Sequence, residues 1–221
     1  MRTDLVIEAT AHRSPRITST GGLSGRLTGP DTVHLIGTAA TPLGGDVMNI
    51  RIVVGAGARL VIRSVAASLA LPSTSERESQ SEWTFDVAEE GLLDFDPEPM
   101  IVAADAVHHT RTTIRFASSS TIYFRERVQI GRAGERDGRW VGTMRSDVGD
   151  VPHLRHHVEL GVGTVGHDVL SAPKAMSSSV KFPDRRGPET SGDGSVRMPL
   201  AAGGSLTTST GERVDALPLS S

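Results

Sequence analysis

The clearest structural pattern in the sequence is Leu43-Gly44-Gly45-Asp46-Val47-Met48-Asn49-Ile50-Arg51-Ile52-Val53-Val54. The double glycine and Asp46 predict a tight turn, and every second residue after it, from Met48 to Val54, is apolar. This alternation is typical of a half-buried β-strand. Asp46 has the same parity as the apolar positions, so its carboxylate is expected to point toward the core, where a lone charge is costly.

The layout around this strand recurs along the chain. Each copy has a strand end, four or five small or polar residues and a strand start, at a spacing of roughly thirty residues. The copies are residues 53–62, 86–95 and 115–124. The sequence therefore predicts a mainly β fold, an elongated stack of strand-turn-strand units resembling a β-helix or a sandwich, with a few short helices. The turn at residues 55–58 also predicts that the strands on either side of it form a hairpin.

Composition limits the classes of function. The net charge is -3 and 37% of the 221 residues are hydrophobic, which is typical of a soluble globular protein and disfavours a nucleic-acid surface. The absence of cysteine excludes disulfides and thiolate metal sites. No apolar run suits a signal peptide or a membrane span, so a cytoplasmic protein is expected.

Two regions differ in composition. Residues 1–170 carry the alternating strands and are predicted to form one β domain. From residue 171 onward serine, glycine and proline are frequent and apolar residues are scattered. Residues 171–221 are therefore predicted to be a segment that is partly ordered, or that a partner orders.

A second strand also places an acid among apolar residues. Glu126 interrupts the alternating row of Ile122, Phe124, Val128 and Ile130. Buried glutamate is rare unless it is paired. The sequence leaves three interpretations open: a core salt bridge to an arginine, a twisted strand that exposes Glu126, or a functional carboxylate.

Other polar clusters favour surface roles. The histidines of 108–109 and 153–157 match no zinc signature and are interpreted as surface residues, with a metal-dependent hydrolase built on His153, His156 or His157 as a less favoured alternative. Asp94, Asp96 and Glu98 alternate on one strand face, which indicates either a solvated face or a strip that attracts cations. No nucleophile elbow, phosphate loop or dinucleotide fingerprint is present, so no enzyme is predicted.

The order of these features resembles that of the urease accessory protein UreD (UreH) family. The matching pieces cover roughly residues 35 to 165, in the family's order and at about its spacing. They are Pro42-Leu43-Gly44-Gly45-Asp46, Gly57-Ala58-Arg59-Leu60, Glu98-Pro99-Met100-Ile101, and Glu126 ahead of Gly131-Arg132-Ala133-Gly134-Glu135.

This resemblance implies a non-enzymatic scaffold that binds UreF-like and UreG-like proteins, docks on the urease apoprotein and conducts nickel to the urease active site. It implies no tightly bound cofactor, only transient nickel, and neither nucleic acid nor membrane as a partner. A nickel passage needs single anionic groups that bind weakly, because a full ligand set would not release the ion. The candidates are Asp46, Glu126 and, third, Glu135. The alternative is a β-rich binding or structural module unrelated to urease.

Overall fold

The computed structural model describes residues 1–135, 137–165, 172–192 and 194–218, which form two β-sheets packed face to face. The smaller sheet contains seven strands: β1 (Arg2–Ala9), β2 (Arg16–Thr20), β5 (Val47–Val54), β8 (Glu78–Val87), β11 (Val107–Phe116), β13 (Arg139–Val148) and β14 (Val151–Gly161). The larger sheet contains eleven: β3 (Leu23–Leu27), β4 (Thr32–Gly37), β6 (Arg59–Ser64), β7 (Ser68–Ala70), β9 (Leu92–Phe95), β10 (Met100–Val102), β12 (Thr121–Ile130), β15 (Ala175–Phe182), β16 (Glu189–Thr190), β17 (Ser195–Pro199) and β18 (Ser205–Gly211).

The mainly β fold is confirmed. Of the few short helices expected, the described residues contain one 3₁₀ turn, Val214–Ala216. None of the described residues belong to a helix long and apolar enough to cross a bilayer.

The chain winds between the two sheets in stacked coils. β5, β8 and β11 are parallel neighbours in the smaller sheet, with Val54 beside Val87 and Val87 beside Phe116. The strands that follow each of them, β6, β9 and β12, are parallel neighbours in the larger sheet. The three repeated segments are thus equivalent corners between the sheets, which confirms the predicted stack of strand-turn-strand units.

The predicted hairpin across residues 55–58 is wrong. β5 pairs with β1 and β8, whereas β6 pairs with β4 and β9. The turn therefore moves the chain from one sheet to the other instead of reversing it within one sheet. Parallel pairing with the next coil supplies the backbone hydrogen bonds that a hairpin would have supplied.

Aromatic side chains fill the space between the sheets at the level of the corners. The ring of Phe85 lies 5.0 Å from that of Phe95 and 5.4 Å from that of Phe124, and both contacts are edge-to-face. Phe95 and Phe124 stack at 4.9 Å. These are favourable geometries for aromatic pairs, and they fix the separation of the sheets here.

The described C-terminal strands extend the larger sheet. β15 pairs antiparallel with β12, and β18, β17 and β16 follow in that order. Val180 and Phe182 are buried in the main apolar cluster. The predicted boundary at 170/171 lies outside the described residues, so the division into two regions stays a prediction.

Candidate functional site

A polar band separates two apolar clusters inside the sandwich. On β12, Phe124 belongs to one cluster and Val128 to the other, and Glu126 lies between them. Facing strands β8 and β11 place buried polar side chains in the same band: Ser79, Ser81, His108, Thr110 and Thr112. Because polar groups are costly to bury without partners, such a band needs either internal hydrogen bonds or water.

The band contains a cavity of about 610 Å³. Met48, Ser81, Trp83, Thr110 and Thr112 line it from the smaller sheet, and Phe95, Phe124 and Glu126 from the larger sheet. Most of the wall is apolar. Its charged lining residues are Glu98, Arg125, Glu126 and Arg127, and the alternation of β12 directs Glu126 toward the smaller sheet. A cavity of this size with few polar groups is the form that binding sites usually take.

The cavity reaches the surface through a gap in the larger sheet. β12 pairs with β9 as far as Phe124 and with β10 from Val128 onward, and the pairing is interrupted between them. There the connections between β9 and β10 and between β6 and β7 leave the sheet. Their exposed residues Val65, Ala66, Ala67 and Glu98 also line the cavity, so they form its mouth.

Glu126 lies in this cavity without a charged partner. Its carboxylate makes no hydrogen bond or ion pair with any residue that the structure describes. Burial alone raises the pKa of Glu126 to about 7. Two of the three interpretations of Glu126, a salt bridge to an arginine and a fully exposed side chain, are therefore not found among the described residues.

The neighbouring arginines also line the cavity, but their guanidinium groups bind Asp96 and not Glu126. Arg125 and Arg127 flank Glu126 but project from the opposite face of β12, where both contact Asp96 at 3.1 Å. Arg127 also donates to the carbonyl of Pro97 at 2.7 Å. These contacts hold the connection between β9 and β10 against the sheet and so define one side of the mouth.

Asp46 is buried as predicted, with 4% of its surface exposed, and it closes its own turn. Its Oδ2 atom accepts hydrogen bonds from the Leu43 N–H and the Thr41 hydroxyl, both at 2.8 Å, and Oδ1 accepts from the amino group of Met1. Burial acts to raise the pKa of Asp46, but these three donors outweigh it and the pKa lies below its usual range.

Glu135 closes a different turn. Its carboxylate accepts hydrogen bonds from the Arg132 side chain, from the Arg132 N–H at 3.0 Å and from the Ala104 N–H at 3.0 Å. The Arg132 hydrogen bonds lead in lowering the pKa of Glu135 to about 2. Neither Asp46 nor Glu135 is among the described residues that line the cavity, so the structure does not bring the three predicted acids together there.

The surface interpretation of the histidines is wrong for His108 and His153. His108 is fully buried and His153 is 7% exposed. Strand alternation turns His108, rather than His109, inward. A serine accompanies the burial of His153 as well, since Ser146 lies 2.8 Å from its ring. Within the described ranges, no group of three potential metal ligands is present.

Sequence reasoning missed Glu98 as a site residue. It grouped Glu98 with Asp94 and Asp96, but the structure separates them. Asp94 pairs with Arg63 at 2.8 Å and Asp96 pairs with the two arginines of β12, whereas Glu98 lies at the mouth of the cavity. The signal was Pro97 and Pro99 on either side of Glu98, since proline interrupts sheet pairing.

The family model described as the UreD urease accessory protein matches residues 24–176, which include β12, the gap and most of the cavity wall. The chain belongs to the UreD family. This membership sets aside the alternative of a β-rich module unrelated to urease.

Relatives named "Urease accessory protein UreD" support the UreD assignment. The protein of Frankia alni is 36% identical over 80% of this chain and 67% of its own length. That of Parafrankia sp. is 35% identical over 90% of this chain and 74% of its own length. That of Frankia casuarinae is 36% identical over 66% of this chain and 50% of its own length. Like its relatives, this chain is thus a urease accessory protein by family.

Proposed function

We propose that this chain is a non-enzymatic scaffold that docks UreF-like and UreG-like proteins on apo-urease in the cytoplasm and conducts nickel through its cavity. The observation that carries the proposal is the Glu126 carboxylate, which lies in a mostly apolar cavity and has no charged partner in the part of the chain that the structure describes. Membership of a family described as urease accessory proteins supports a role in urease maturation. Nickel as the ion that is transferred is part of the proposal.

The chemistry of a single carboxylate suits transfer. A divalent cation is attracted to Glu126 because the low dielectric of the cavity strengthens the interaction. One oxygen ligand cannot satisfy nickel, so the ion keeps most of its water and is not trapped. Glu98 at the mouth attracts the cation from solvent, and Glu126 receives it inside.

Asp46 and Glu135 have weaker geometry for this role. Each carboxylate already accepts several hydrogen bonds from its own turn. Nickel would have to displace those donors to bind there. The two residues are therefore secondary candidates for the passage, and they form further arms of the experiment.

The test is nickel-dependent activation of apo-urease at limiting nickel, using the full chain with its UreF-like and UreG-like partners. Glu126→Gln keeps the size of the side chain and removes its charge. We expect the initial activation rate to fall about tenfold, which corresponds to about 1.4 kcal/mol. Asp46→Asn and Glu135→Gln are expected to change it less.

The matched control is Glu89→Gln, which alters an exposed glutamate in the corner between β8 and β9. Co-purification of each variant with its partners and urease shows that the assembly forms. Normal activation by a Glu126→Gln variant that still assembles would contradict the role of the cavity as a nickel conduit. Failure of the native chain to co-purify with these proteins would remove the docking role.

A further inference from the structure

A histidine behind the cavity wall links two serines of β8. His108 on β11 has no exposed surface; its Nδ1 atom lies 2.9 Å from Ser79 Oγ and its Nε2 atom 3.1 Å from Ser81 Oγ. Burial, followed by the nearby His109, lowers the pKa of His108 to about 3. The imidazole is therefore neutral at physiological pH, so one ring nitrogen donates a hydrogen bond and the other accepts one.

The surroundings of the two serines determine which group donates in each of the two hydrogen bonds to His108. Ser79 is 3% exposed. Among the described residues, its hydroxyl has one hydrogen-bond partner, His108. A buried O–H without an acceptor is costly, so Ser79 donates to Nδ1 of His108. The proton of the neutral ring is then on Nε2, which donates to Ser81 Oγ.

Ser81 must direct its own proton elsewhere, and the cavity is what it faces. The hydroxyl of Thr110, which also lines the cavity, is oriented in the same way by a ring N–H donor. Its Oγ1 accepts a hydrogen bond from the indole N–H of Trp140 at 3.0 Å. Both hydroxyls therefore turn their protons toward the cavity, whose other wall carries Glu126.

We propose that His108 is a positioning residue that holds the Ser81 hydroxyl as a hydrogen-bond donor to water beside Glu126. The cavity of about 610 Å³ has room for water on this scale, since one molecule takes about 30 Å³. Water that accepts from Ser81 and Thr110 donates to the Glu126 carboxylate and solvates it. Because these two hydroxyls direct protons rather than lone pairs at the cavity, they are poor acceptors for the waters around a cation, and the cation follows the Glu126 wall. The last step rests on the proposed function.

Nitrogen NMR of the native full-length protein tests the direction of the hydrogen bonds from Ser79 through His108 to Ser81. The protein is labelled with ¹⁵N-histidine and studied in complex with its UreF-like partner, and the His108 signals are assigned by their loss in His108→Gln. We expect a neutral ring with the proton on Nε2. A ring protonated on Nδ1, or on both nitrogens, overturns the proposal without requiring any variant to fold.

Two variants of similar polarity test the effect on transfer. In His108→Gln the side-chain amide nitrogen falls near the position of Nε2 and can donate to Ser81, whereas in His108→Asn it falls near Nδ1. We expect His108→Gln to keep nickel-dependent activation within about twofold of the native rate. His108→Asn should lower it about fivefold, the effect of one lost hydrogen bond.

Thermal unfolding of both variants provides the structural control. Equal activation rates in the two variants, whether lowered or unchanged, mean that His108 only packs and overturn its role in transfer. Normal activation by Glu126→Gln, in contrast, contradicts the proposed conduction of nickel through the cavity. In that case the NMR result still decides the orientation of Ser81, so the two failures are distinguishable.

Discussion

Arg125 and Glu126 are neighbours on β12 but face opposite sides of the larger sheet. The guanidinium of Arg125 binds Asp96 on the outer face at 3.1 Å, while the carboxylate of Glu126 faces the cavity. Because successive side chains of a strand point in opposite directions, no local rearrangement can pair the two charges. The strand thus keeps inside the molecule an acid that no described residue pairs with, even though arginines flank it on both sides.

Replacing Glu126 should stabilise the protein at high pH. The folded-state pKa of about 7 lies above the 4.5 of the free side chain, so the folded state holds the proton more tightly. The free energy of unfolding therefore falls as the pH rises from about 4.5 to 7. Glu126→Gln removes this loss, and we expect a gain of about 2–3 kcal/mol at pH 8 with little change at pH 4.

Urea unfolding of the native chain and Glu126→Gln at pH 4, 6 and 8 measures this difference. Glu89→Gln, at an exposed corner, is the control and should track the native chain at every pH. A difference between native and Glu126→Gln that does not grow with pH contradicts a carboxyl whose pKa is raised by burial.

Removing Asp96, whose ion pairs lie at the mouth of the cavity, should lower the free energy of unfolding. Its carboxylate is shared by Arg125 and Arg127, whose side chains are only 6% and 17% exposed. Asp96→Ala leaves two mostly buried cations without this partner, which should cost about 3 kcal/mol of unfolding free energy. Chemical denaturation measures the loss.

The matched control for Asp96 is Asp215→Ala, which breaks an ion pair with Arg213 in which both side chains are more than half exposed. An exposed pair contributes about 0–1 kcal/mol. Equal losses in the two variants would show that burial of the Asp96 pair adds nothing.

The sequence predicted the parts of the fold that local patterns determine. Parity placed Asp46 and Glu126 on inward faces, and the repeated corners gave the stacked coils. It could not assign β5 and β6 to different sheets, because that depends on pairing with strands about thirty residues away. The partners of His108 likewise lie 27 and 29 residues before it, so its burial had no local signal.

The cavity was beyond sequence reasoning for the same reason. It exists because two connections leave the larger sheet beside β12 at the same level. Parity shows which face a side chain occupies but not whether the opposite sheet supplies a partner. The unpaired state of Glu126 therefore had to come from the structure.

The turn before β5 should tolerate no side chain at Gly44. A Cβ atom there would lie 1.9 Å from the carbonyl oxygen of Glu76, which is backbone and cannot move aside freely. We expect Gly44→Ala to lower the free energy of unfolding by about 3 kcal/mol. Gly187→Ala is the control, since a Cβ at Gly187 meets nothing within 4 Å. A similar stability of the two variants would contradict the close packing of this turn.

A bulky side chain at the mouth should separate transfer from stability. Ala66 is exposed and lines the opening, so Ala66→Trp can cover it without disturbing the core. If nickel enters beside Glu98, activation of apo-urease at limiting nickel should fall several-fold, while the free energy of unfolding stays within about 0.5 kcal/mol of native. Val151→Trp places the same bulk at an exposed position on β14, outside the described cavity lining, and should leave activation unchanged.

Co-purification is measured together with activation, because a bulky side chain that displaced a partner protein from the mouth would also lower activation. Loss of activation with the partners still bound supports entry through the gap, whereas normal activation shows that nickel reaches Glu126 by another path.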